Sequence, residues 1–285
     1  MQNFAIAHAT PNSIATQLAR GKVMWIAAHP DDEITIAPLL GDLCVEHQQA
    51  CTFLVATRGE AGACQLSNGC QPDRATVRTQ EMRNAAALYR ATLIQWNLPD
   101  QPGQTPDGIL KVWANQVGGE DALINNLATA IATVAPDVIL LFDPRHGTTC
   151  HPHHRAIAAL TLSALDRLKV RSANSYLQQA GPIAPLTYLL ETRIQFGLNN
   201  IPFTFSLAVP EDKDIRAYDA NQHLSRINDT AWAYLLQDVQ THPSQFSATD
   251  LAALWSIPSE ARRTFLLPLA NAAETLNLRY AELCR

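Results

Sequence analysis

Apolar runs of strand length recur through the first half of the chain, each followed by a stretch whose apolar positions return every three or four residues. KVMWIAA (22–28) is an unbroken apolar run, and EITIAPLLGDLCVEHQQ after it has helical spacing with Pro38 as an early kink. CTFLVAT (51–57) predicts a second buried strand, followed by a loop containing Gly and Cys and by a helix from about Ala75 to Arg90. TLIQWN (92–97), a helix over 119–134 and DVILLF (137–142) continue the alternation. A helix from His154 to about Lys169 comes next, then strand-like PLTYLLE (185–191) and FTFSLAV (203–209). The last 70 residues or so read as mostly helical.

Continuous apolar strands joined by helices imply a parallel sheet covered on both faces, because a parallel strand is reached only by a crossover. The expected fold class is therefore α/β, a doubly wound layer. The chain is read as a single domain over 1–285, with an α/β core over about 20–170 and a smaller mixed or helical C-terminal part over about 171–285. Gly181 to Pro185 form a seam without the composition of a flexible linker.

Composition narrows the function. Of the 285 residues, 47% are hydrophobic and 16% charged, a balance that folds. A net charge of -5 and the lack of any long Lys/Arg run exclude a phosphate-tracking surface, so nucleic acid is not an expected partner. No segment has the apolar length of a membrane span and the N-terminus lacks a signal-like pattern, so the cytoplasm is the expected location. Six cysteines are too few for a disulfide scaffold and match no zinc ribbon, so most are read as packing residues. Cys64 and Cys70 flank a turn-like SNG and either pair or remain two thiols.

The chemistry concentrates in two segments. AHPDDE (28–33) stands directly after the first strand, at the carboxyl edge of the sheet where open α/β folds bind ligands. A turn there can bring His29 and Asp32 to one metal while Asp31 points elsewhere. Acidic residues also suit any helix start through capping and the macrodipole, which accounts for Asp31 to Glu33 but not for His29. HPHH (151–154) follows DVILLFDPRHGTTC, so it occupies the same edge if the two strands are parallel. Two histidines and one carboxylate with an open position describe a catalytic zinc site, and the set also suits iron(II). Asp31 and His151 are then the spare base and the spare imidazole.

AHPDDE, TRGEAG (57–62), Arg78-x-x-Glu81 and FD(x)7HPHH, in this order, resemble the PIG-L or LmbE-like zinc N-deacetylases over about 160 N-terminal residues. HPSQF (242–246) resembles the family's H-x-S-Q element. The resemblance implies a Rossmann-like, mostly parallel sheet flanked by helices. It makes His29, Asp32 and His154 the zinc ligands, Asp31 the general base and His151 the oxyanion-stabilising or proton-donating group. It nominates Arg78 and Glu60 as substrate-facing. His153 stands where Asp or Asn is common and Thr149 where some members carry Tyr.

The implied activity is hydrolysis of an acetamide to an amine and acetate, on a small molecule containing N-acetylglucosamine. The alternatives are an amidase or esterase acting on a non-sugar acyl group, or a metal- or sugar-binding homologue without turnover. The spare Asp31 argues against the last. His8 and His47 are read as surface residues, His146 as a loop residue near the site, and His223 and His242 as residues of helical regions. Oligomeric state and natural substrate are left open by the sequence.

Overall fold

The computed structural model of the chain describes residues 13–19, 21–145, 147–174, 185–191 and 216–269. Helix α1 (Ser13–Leu18) precedes β1 (Val23–Ala27), after which the chain coils with changing pitch: a 3-10 turn over Asp32–Ile36, α2 (Ala37–Leu40) and a π turn over Gly41–Glu46. Then come β2 (Cys51–Thr57), α3 (Arg74–Leu88), β3 (Thr92–Leu98), α4 (Pro106–Val117), α5 (Glu120–Val134), β4 (Val138–Phe142), α6 (Gly147–Cys150) and α7 (Pro152–Asn174). They are followed by β5 (Leu186–Glu191), β6 (Arg216–Asp219), the short β7 (His223–Leu224) and β8 (Asp229–Thr230), α8 (Trp232–Thr241), α9 (Ala248–Trp255) and β9 (Arg263–Pro268).

Among the described residues, seven strands form one sheet in the order β3-β2-β1-β4-β5-β9-β6. β1 to β5 run parallel to one another, and β9 is antiparallel to both β5 and β6. All residues of β1, β2 and β4 are buried, as a sheet covered on both faces requires. Helices α4, α5 and α7 pack on one another, while α8 packs on α2 and α3. Trp25 of β1 meets Phe142 of β4 edge to face at 5.1 Å between ring centroids, tying the two central strands.

This order places the site. From β1 the chain winds outward through β2 and β3, then returns to β4 on the other side of β1 and winds away through β5. The order reverses between β1 and β4, and at such a point the loops leaving the two carboxyl ends diverge and open a crevice. AHPDDE leaves β1 and HPHH follows β4.

The α/β expectation holds, with three local differences. The predicted helix after β1 is split by pitch, with Pro38 in the first positions of α2, where its missing N–H costs no bond. The stretch 98–118, between the expected strand and the expected helix, contains a further helix, α4; Thr105 caps it by accepting from Gly108 N–H, and Pro106 opens it. Among the described residues of the last 70, 216–269, strands stand beside the helices: β6 and β9 extend the sheet and His223 lies in β7, because a short apolar run such as FLLP fits either period. The expected strand at 203–209 and the seam residues 181–184 lie outside the described residues.

The cysteines depart furthest from expectation. Cys44 pairs with Cys51, joining the π turn to the start of β2, and Cys64 pairs with Cys70; Cys150 is also disulfide-bonded. Closing loops this short stabilises the fold by on the order of 2 kcal/mol each in the chain-entropy account. Cys44, Cys51, Cys64 and Cys70 should therefore resist iodoacetamide in the folded protein and in denaturant alike until a reductant is added, as peptide mass spectrometry would read directly.

Candidate metal centre and active site

Asp32 builds its own turn. Its Oδ2 accepts from the backbone N–H of Ala28 at 2.9 Å and of His29 at 2.8 Å, folding the carboxylate back over the end of β1. Oδ1 is left facing outward, 3.6 Å from His29 Nδ1 and 2.9 Å from His154 Nε2. The loop is pinned to β2 through Thr57, whose N–H and hydroxyl both donate to Ala28 O at 2.9 Å.

His154 comes from the first turn of α7. Its ring stacks on Phe142 at 4.2 Å between centroids, and its Nδ1 lies 2.9 Å from Gly147 O. A carbonyl only accepts, so Nδ1 carries a proton and Nε2 is the nitrogen turned to Asp32 Oδ1, where a proton or a metal ion can lie between them. A ring nitrogen of His151 joins those of His29 and His154 within 4.8 Å, and His151 Nδ1 is buried without a partner. The predicted trio of His29, Asp32 and His154 thus converges, and its donors are those of a zinc-class ion. The residues fit such an ion.

The electrostatics agree. Burial opposes charge on His29, but Asp32 and Asp100 outweigh it and push the imidazole up to about 10. Asp32 is held well below the usual carboxylate range against burial by the charges of His154 and His29. Burial and the charge on His29 bring His151 down to about 3 and His153 to about 4, so both are neutral.

Asp31 points away from the trio. Its backbone is left-handed (φ 94°), stabilised by an N–H bond to Glu33 Oε2 at 3.2 Å, and its carboxylate is about one-fifth exposed. Arg78 donates from Nη2 to Asp31 Oδ2 at 2.7 Å and to Pro30 O, and from Nη1 to Gly59 O at 2.8 Å. Burial raises the Asp31 carboxyl against the pull of Arg78, the condition of a proton acceptor. Arg78 lines the cleft, yet its terminal nitrogens are engaged with Asp31, Pro30 and Gly59, so it positions Asp31.

Gly59 is required for that seat. It has φ 67°, and a Cβ there would lie 2.2 Å from Arg78 Nη1. Gly59→Ala should cost about 1–3 kcal/mol from overpacking and backbone strain, visible as a lowered Tm.

Glu60 does not have the substrate-facing place expected of it. It is absent from the cleft wall, and its Oε1 accepts from Asp100 N–H at 3.0 Å while Asp100 Oδ2 accepts from Ala61 N–H at 3.0 Å. The pair clamps the loop after β2 to the loop after β3, Glu60 spending its Oε1 on a backbone donor while Asp100 keeps its Oδ1 turned to the cleft. Asp100 is not among the residues the sequence singles out; it sits in NLPDQPG after β3, where only the strand-end position marks it.

The HPSQF segment braces the site from behind. His242 Nε2 meets Glu33 Oε1 at 2.6 Å with both side chains fully buried, and Asp238 Oδ1 lies 3.9 Å from the same nitrogen. Ser244 donates from N–H and hydroxyl to the two oxygens of Glu81 at 2.8 and 2.6 Å. Gln245 donates to Ala63 O at 2.7 Å and reaches the cleft wall. The cleft has a volume of about 380 Å³ and runs from the trio and Asp31 to the Asp100–Gln104 segment.

Residues 24–165 match the family model described as PIG-L: GlcNAc-PI de-N-acetylase. No curated protein gives a significant match. Among solved structures, the 4-carboxy-2-hydroxymuconate hydratase GalB of Pseudomonas putida KT2440 superposes with a TM-score of 0.56 at 14% identity, covering 87% of this chain and 96% of its own. The N,N'-diacetylchitobiose deacetylase of Pyrococcus horikoshii gives 0.55 at 15% identity, with 88% and 85% covered. The A40926 pseudoaglycone deacetylase Dbv21 gives 0.54 at 15%, with 87% and 97% covered. At such identities the likeness is one of fold, and that fold carries both a hydratase and deacetylases.

Proposed function

Through residues 24–165 the chain belongs to the PIG-L family, and from that premise we propose that it is a metal-dependent hydrolase that removes an N-acetyl group, releasing acetate and an amine, from a small molecule containing N-acetylglucosamine. The observation that carries the reading is Asp31, a raised carboxylate held by Arg78 beside a convergent trio of metal-donor side chains. A pure binding site has no use for such a base.

His29, Asp32 and His154 would hold the ion. Zinc is preferred for two imidazoles and a carboxylate, and iron(II) suits the same set. When bound, the ion supplies Lewis acidity that makes water nucleophilic near neutral pH and polarises the acyl carbonyl. Asp31 takes the proton of the attacking water, and Arg78 keeps that carboxylate aimed into the cleft. Neutral His151 offers an N–H to the oxygen that gains charge. The segment Gln101–Gln104 and Gln245 line the part of the cleft that would take the rest of the substrate.

No helix among the described residues is long and apolar enough to cross a membrane. The paired cysteines favour an oxidising compartment over the cytoplasm expected from sequence.

Acetate release from a panel of N-acetylated amino sugars and from non-sugar acetamides tests the reading. Release that chelator abolishes and stoichiometric zinc restores is the expected result. No release from any amide, with water addition to an unsaturated acid instead, would move the chain to hydratase chemistry.

A further inference from the structure

Of the three histidines around the start of α7, His153 has no part in the proposed reaction. It is 2% exposed, and it faces the edge of the His29 ring opposite Asp32. There His29 Nε2 lies 3.4 Å from Asp100 Oδ1, and His153 Nε2 lies 3.6 Å from the same oxygen. The three donor atoms are all within 4.8 Å of one another. Ligands about 2.0–2.2 Å from a tetrahedral ion are separated by roughly 3.3–3.6 Å, so both measured edges have the length that a zinc-class ion sets.

Gln101 N–H approaches His153 Nε2 at 3.3 Å, a long contact that a bound ion would displace. Asp100 is also held in advance: Ala61 N–H takes its other oxygen, Glu60 takes its own N–H, and Trp113 Nε1 donates to Pro99 O at 2.9 Å just before it. His29, Asp100 and His153 all line the cleft, so an ion can reach them from solvent.

We propose that Asp100, His153 and Nε2 of His29 form a second site for a divalent transition-metal ion of the zinc class. Two imidazoles and a carboxylate select such ions over magnesium or calcium. Because His29 would serve both ions, one through each nitrogen, the charge of the first ion opposes the second, and the second site fills at higher metal concentration.

Titrating metal-free protein with cobalt(II), read by visible absorption and by elemental analysis after gel filtration, tests this without reference to turnover. The wild type should bind two ions per chain in separable steps. His153→Gln and Asp100→Asn, checked for native circular dichroism, should each weaken the second step at least tenfold and keep the first. Asp32→Asn should lose the first step. Cobalt anomalous scattering would locate the second ion between Asp100 and His153. Saturation of the wild type at one ion, or two steps unchanged in both His153→Gln and Asp100→Asn, would overturn the proposal. A single ion lost in His153→Gln but kept in Asp32→Asn would instead uphold this site and overturn the assignment of the first.

Discussion

Asp31→Asn should lower kcat for acetate release by about 10²–10⁴, the usual contribution of a general base, or about 3–5 kcal/mol of barrier. Asparagine tolerates the left-handed backbone at this position, and its side-chain oxygen can still accept from Arg78, so the local structure should survive. Metal content should be unchanged, because Asp31 is outside the trio around Asp32 Oδ1. Steady-state kinetics beside elemental analysis of one preparation separates the roles. Loss of metal along with rate would make Asp31 a ligand and remove it as the base.

The largest loss of stability should follow His242→Ala. Glu33 and Asp238 would remain fully buried, one with its ion-pair partner gone and the other beside it, and breaking a buried pair in this way costs about 3–5 kcal/mol. Burial opposes charge on His242, but Glu33 foremost, then Asp238 and Asp31, raise it to about 9. A folded value above the unfolded one of about 6.5 means stabilisation that is fully present below about pH 6.5 and lost as pH rises through about 9. Urea midpoints of the wild type should therefore fall between pH 6.5 and 9.5, and those of His242→Gln should fall less. Parallel pH dependence in the two proteins would show that His242 is neutral in the fold.

The sheet core was legible because strands buried on both faces leave unbroken apolar runs, and VMWIA, CTFLVAT and VILLF are such runs. The meeting of AHPDDE and HPHH followed from their strand ends alone, and His29, Asp32 and His154 do converge. Helix α4 is also written in the chain, as a Thr105-Pro106 start and a Gly118 stop, although polar residues around it blur the apolar spacing. Asp100 and Glu60 were not legible in their actual places. Both roles depend on backbone N–H groups of a facing loop, and no side-chain pattern encodes those. The bond from His242 to Glu33 spans 209 positions, and neither residue differs in type from an ordinary surface residue.

That span bears on how the molecule is made. A chain emerging from the ribosome presents Glu33 and Glu81 early and the HPSQF segment near the end, so the turn bearing Asp31 waits for α8 before Glu33 gains its partner. A fragment ending near residue 165 would contain His29, Asp32 and His154 and still leave Glu33 without its His242 partner and Glu81 without its Ser244 donors. The segment around His242 thus closes the back of the turn that bears Asp31.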